Sequence, residues 1–122
     1  MAIRCELDED ARRVLMTIDG PSTGRQVTDV ILKEVGKRPD LIEWDWIQDV
    51  RAASGEVDNT DMGRVAEAFG RPERATYTVF VSNDPALPQW AKVMDHVFHN
   101  RSHRVTTTVE AADALLDRLR AD

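Results

Sequence analysis

A chain of 122 residues, 42% apolar and 31% charged, is the size of one domain that buries its own core without metals or disulfides. Its formal net charge of -6 argues against a dedicated nucleic-acid binder, whose footprint is basic, and no window approaches the roughly 18 apolar residues of a membrane-spanning helix. Cys5 is the only cysteine, and Arg4, Glu6, Asp8, Glu9 and Asp10 stand where an export signal needs an apolar run, so the expectation is a soluble, cytoplasmic, single domain over 1–122.

In chain order, residues 3–7 and 13–19 read as strands joined by the acidic turn Asp8-Glu9-Asp10, a hairpin. After Gly20-Pro21-Ser22-Thr23-Gly24, Thr23 and Gln26 form a capping-box pattern, Val27, Val30, Ile31 and Val35 share one helical face, and Gly36 with Pro39 ends the helix. Residues 41–47 read as a strand carrying Trp44 and Trp46, followed by a polar connection and a helix over about 60–69 with Met62, Val65, Ala66 and Phe69 apolar. A strand over 75–81 leads to Asn83-Asp84-Pro85. Asp84 is expected to cap a third helix whose buried stripe is Leu87, Trp90, Ala91, Met94 and Val97. A short strand over 104–107 precedes a last helix, opened by Thr107 and Glu110 and turning Ala112, Leu115, Leu116 and Leu119 inward.

Val14, Met16 and Ile18, Ile42, Trp44 and Trp46, and Tyr77, Val79 and Val81 each recur at every second position, so one sheet face is expected to be apolar and the other mostly polar. Right-handed crossovers with helices mainly on one face step the strands in one direction across the sheet. The expected fold is therefore α/β: a two-layer sandwich built as a (βα)n superhelix, its sheet mostly parallel with an antiparallel N-terminal edge strand. The half-polar face, bearing Leu15, Leu41 and Ile47, offers a surface for pairing with a second copy.

This element order resembles the STAS domains, and within them the SpoIIAA-like branch related to bacterial anti-sigma-factor antagonists. The resemblance covers nearly the whole chain and rests on the strand 42–47 with its continuation Asp49-Val50-Arg51, the Asn83-Asp84-Pro85 corner followed by Trp90-Ala91, and the ending 104–112. Phosphoregulated antagonists carry an Asp-Ser-Ser-Gly-Leu-Gly motif at a helix start, where a serine is modified by the partner kinase. The matching stretch here is Asp58-Asn59-Thr60-Asp61-Met62-Gly63, with Thr60 at or beside the modified position. A phosphate there meets free helix N–H groups, whereas Glu56, Asp58 and Asp61 oppose it, and ordinary helix capping is the favoured reading.

The expected function is non-catalytic partner binding or regulation, through Asp58, Asn59, Thr60, Asp61, Asn83 and Asp84. The alternative is a carrier or sensor of a small hydrophobic or anionic ligand in a pocket at Trp44, Trp46 and Trp90, a reading that the architectural resemblance to the lipid-binding Sec14 group keeps open. Glu43 and Asp45 form a same-face carboxylate pair without the rest of a catalytic site, and no nucleophile elbow, phosphate-binding loop or zinc-protease motif occurs. His96, His99 and His103 read as exposed or capping residues rather than metal ligands. Arg101, His103 and Arg104, with Arg71 and Arg74, read as a solvated loop sooner than an anion cluster. Nothing in the sequence calls for a cofactor.

Overall fold

A computed structural model describes residues 2–53 and 59–121, with elements in the order β1 (Ala2–Asp8), β2 (Arg13–Gly20), α1 (Gly24–Lys37), a 3-10 helix (Pro39–Glu43), β3 (Asp45–Ala53), α2 (Asn59–Phe69), β4 (Thr76–Val81), α3 (Leu87–Val97), β5 (Arg101–Thr106) and α4 (Val109–Arg120). The strands form one sheet in sequence order; β1 runs antiparallel to β2 and the other neighbours are parallel. Asp8 Oδ1 accepts from the Ala11 N–H at 3.1 Å, and Arg12 takes a positive φ of 55° to close the hairpin. The capping box of α1 forms as its spacing predicts: Thr23 Oγ1 accepts from the Gln26 N–H at 3.1 Å, and Gln26 Oε1 accepts from the Thr23 N–H at 2.8 Å.

Two strand boundaries differ from expectation. Pro39 opens a 3-10 turn that absorbs Leu41, Ile42 and Glu43, so β3 starts at Asp45 and runs on through the polar Asp49 and Arg51. The Leu41 carbonyl locks that turn, accepting from the Trp44 N–H at 3.2 Å and from Trp46 Nε1 at 3.0 Å. β5 begins at Arg101, three residues before the expected strand.

Both sheet faces are covered. Val14, Met16 and Ile18 pack with Ile31, Val35, Trp44, Trp46 and Phe69 beneath α1 and α2, and Met62, Phe80 and Met94 extend that layer beneath α3. The intervening positions Leu15, Ile47, Val79 and Val81 pack instead against Ala112 and Leu116 of α4, and Arg13 reaches Asp113 at 3.2 Å and Asp117 at 2.8 Å on the same helix. Helices thus lie mainly on one face, α1 to α3, with α4 alone on the other. Val79 and Val81 belong to the α4 side and not, as expected, to the face of the tryptophans. Leu41 and Ile47 are buried and Leu15 is partly buried, so these three residues do not supply an open face for a second copy. The cap of α4 is Thr108, whose Oγ1 accepts from the Ala111 N–H at 3.0 Å, one residue beyond the expected Thr107.

Candidate functional site

The parallel strands β2, β3 and β4 end on the side of the molecule where α1, α2 and α3 begin. Crevices at strand C-termini gather helix N-termini and loop side chains there. Asp58 lies outside the described residues; Asn59 opens α2, and Thr60 is exposed in its first turn. Asp61 behaves differently from its expected surface role. It is buried, its Oδ1 accepts from Arg25 Nε of α1 at 3.2 Å, and Arg64 NH1 stands 4.0 Å away, so it ties α1 to α2.

Asn83 and Asp84 are both exposed beyond the end of β4. Asp84 does not cap α3 directly: its Oδ1 accepts from the Ala86 N–H at 2.9 Å and its own N–H donates to Ser82 Oγ at 3.0 Å, making a turn before the helix starts at Leu87. Proline at position 88, in the first turn, serves the role expected of Pro85. Leu87, Ala91 and Met94 of α3 turn inward as expected, but Trp90 and Val97 do not: with Val93 they form an exposed row, 40%, 44% and 38% accessible for Trp90, Val93 and Val97 respectively.

The tryptophans therefore divide. Trp44 and Trp46 fill the core, with Trp46 against Phe69 at 5.4 Å between ring centroids and the Arg38 guanidinium 5.3 Å from the Trp44 ring. Trp90 alone lines a groove of about 550 Å³, whose walls include Ser22, Val27, Gln48, Met62, Phe80, Asn83, Asp84 and Met94. A second, inner cavity of about 70 Å³ shares Val27, Gln48, Met62, Phe80 and Met94 with the groove and extends to Thr78, Arg101 and His103.

Arg101 and His103, expected in a solvated loop, sit in the inner layer of the sheet at 4% and 5% exposure. Register places Arg101 beside Thr76 and His103 beside Thr78, and the His103 ring joins Phe69, Phe98 and Phe80 in one aromatic row. Burial pushes the His103 imidazole down to about 4, against the opposing pull of Asp95, whose Oδ1 is 3.0 Å from Nδ1. His96 and His99 are exposed, and among the described residues no three His, Cys, Asp or Glu side chains stand together as metal ligands. Arg71 and Arg104 are exposed, and Arg74 donates to the Glu43 carbonyl at 3.0 Å, so the five basic residues do not converge.

The carboxylate pair separates as well. Asp45 lies on the α4 side, accepting from Arg120 Nε at 2.9 Å, Arg120 NH2 at 2.6 Å and the Tyr77 N–H at 3.0 Å. Glu43, in the 3-10 helix, accepts from the Glu73 N–H at 2.9 Å. Both carboxylates are structural clamps in this arrangement. No local signal in the sequence announced Arg101, because its acceptors, the Ile42 and Trp44 carbonyls, are 59 and 57 residues away.

No protein-family model matches the chain, and no curated protein matches it. Among solved structures, an uncharacterized protein of the DUF3478 family from Shewanella loihica PV-4, described as having a SpoIIAA-like fold, is similar with a TM-score of 0.63 at 14% identity, over 94% of this chain and 92% of that one. The anti-sigma factor antagonist SpoIIAA in its unphosphorylated form is similar with a TM-score of 0.50 at 16% identity, over 99% of this chain and 100% of that one. The five-stranded sheet, its antiparallel N-terminal edge and its helices are a SpoIIAA-like fold, the architecture of the STAS domains that the sequence resembles.

Proposed function

We propose that this SpoIIAA-like domain is a non-catalytic cytoplasmic module that binds a protein partner through the exposed face of α3 and the Asn83-Asp84 corner that precedes it. The observation that carries the reading is the exposed row Trp90, Val93 and Val97 on α3, beside the exposed Asn83 and Asp84. Aromatic and branched side chains framed by polar residues are the composition of protein contact surfaces. Among the described residues no helix is long and apolar enough to cross a membrane, so the row is not part of a spanning helix. The likeness to an anti-sigma factor antagonist, a protein that acts on another protein, supports the same reading.

Regulation enters at Thr60. It is exposed in the first turn of α2, where a phosphate meets helix N–H groups, and the charge of the neighbouring Asp61, which is buried, is met by Arg25. Affinity purification from the native cells, quantified by mass spectrometry, tests the proposal with wild type, a Val93→Ser/Val97→Ser variant and Thr60→Glu. The expected result is a co-purifying protein lost with the double variant and altered in amount with Thr60→Glu. Equal recovery by all three proteins overturns the surface and the switch together.

A further inference from the structure

Beneath α1, α2 and α3 the sheet holds a buried cation that, among the described residues, no carboxylate touches. Arg101 spends its four terminal N–H donors on neutral acceptors: NH1 on the Tyr77 carbonyl and Thr78 Oγ1, both at 2.9 Å, and NH2 on the Ile42 carbonyl at 3.0 Å and the Trp44 carbonyl at 2.8 Å. Its guanidinium lies 4.8 Å from the Phe69 ring centroid, and its Nε–H is buried without a partner. Asp45, whose charge acts on it from the α4 side, already gives both oxygens to Arg120. Burying a guanidinium in this way is costly, and desolvation pulls Arg101 down to about 9.

Two residues further on the same face of β5, His103 is neutral at pH 7 and donates its Nδ1–H to Asp95 Oδ1. Its other ring nitrogen, Nε2, then carries the free lone pair of the ring. Arg101 and His103 both line the 70 Å³ cavity, with Thr78 and Gln48; the Asp61 carboxylate on the same wall is met by Arg25. At about 15 Å³ for each water-sized occupant, that volume holds roughly five such groups, enough for a polar head. The adjoining 550 Å³ groove is mainly apolar, and Met62 and Met94, which line both spaces, are side chains that adapt to an occupant's shape.

We propose that cavity and groove form one binding site for a small amphipathic carboxylic acid, its carboxyl group directed at Arg101 and His103 and its apolar chain laid along Met62, Phe80, Met94 and Trp90. A carboxylate fits this pair of groups. One oxygen accepts from Arg101 Nε–H and the ligand supplies the missing negative charge, while His103 takes up a proton from solvent at Nε2 on binding and donates it to the other oxygen. An alcohol of the same length offers the hydroxyl without the charge, and an inorganic anion leaves the apolar groove unfilled. The inference stands apart from the partner-binding reading.

Calorimetric titration of the full chain with decanoate, 1-decanol and inorganic phosphate, below the decanoate aggregation concentration, tests it. The expected result is saturable binding of one decanoate per chain, at least tenfold tighter than decanol, with no saturable uptake of phosphate. Trp90→Ala, an exposed position that leaves the core intact, is expected to weaken decanoate severalfold, and His103→Phe to narrow the preference for acid over alcohol. No decanoate binding, or equal affinity for acid and alcohol, overturns the proposal. The titration contains no protein partner, so its failure is distinguishable from failure of the proposed partner surface.

Discussion

Lowering the pH from 7 to 5 leaves His103 neutral in the folded protein while the same side chain in the unfolded chain becomes charged. The imidazole is pushed from 6.5 down to about 4 by burial, against the pull of Asp95 and with a further push from Arg101. Below 6.5 the unfolded chain therefore binds the extra proton, and stability is lost progressively until the pH reaches about 4. With these two values the loss is close to zero at pH 7 and about 2 kcal/mol at pH 5. Against a domain stability of about 5–15 kcal/mol that is readily measured. Urea unfolding followed by tryptophan fluorescence, at both pH values, gives the loss for wild type and for His103→Phe. Phenylalanine keeps a ring between Phe80 and Phe98, and Asp95, which is 41% exposed, stays hydrated. Other titrating groups are common to both proteins, so the difference between the two losses isolates His103. An equal loss in both, or an NMR titration of the His103 ring near 6.5, refutes the reasoning.

Three further substitutions test the structural account by the same unfolding assay. Arg120→Met leaves Asp45, 1% exposed, with the Tyr77 N–H and only the more distant charges of Arg74 and Arg101, and because Arg120 is itself partly exposed the expected cost is about 3 kcal/mol, the low end for a broken buried pair. Thr108→Ala removes the acceptor for the Ala111 N–H at the start of α4 and is expected to cost about 1 kcal/mol, whereas Thr107→Ala is expected to change stability by less than about 0.5 kcal/mol. Phe69→Ala deletes the ring that joins Trp46, Phe98 and Arg101, with an expected loss of about 3–5 kcal/mol. Equal effects at Thr107 and Thr108, or small ones at Arg120 and Phe69, contradict the packing described.

Part of the local signal was read correctly. Thr23 and Gln26 announce α1 because both halves of a capping box are three residues apart, and Val14, Met16 and Ile18 place β2 because their alternation survives any tertiary context. Alternation does not say which face is which once both are covered, and that is why Val79 and Val81 were assigned to the wrong layer: α4 supplies their partners from the far end of the chain. In the run Thr106, Thr107, Thr108 each residue is chemically able to cap, and only the path of the chain selects the third. β5 is written in polar residues, Arg101 to Arg104, and the acceptors and rings that make Arg101 and His103 tolerable inside come from the 3-10 helix, β4, α2 and α3. The candidate surface was legible in part: Asn83, Asp84 and Thr60 are exposed near helix starts as expected, while Asp61 is a buried clamp and the exposed row on α3 came from side chains expected in the core.

The central claim, that the exposed row of α3 meets a protein partner, is tested most directly by placing a photo-cross-linking amino acid at Val93 and, as a control on the opposite layer, at Arg118 of α4, then irradiating living cells. The account predicts a covalent adduct with another polypeptide from position 93 and none from position 118. Adducts from both positions alike, or from neither, contradict it.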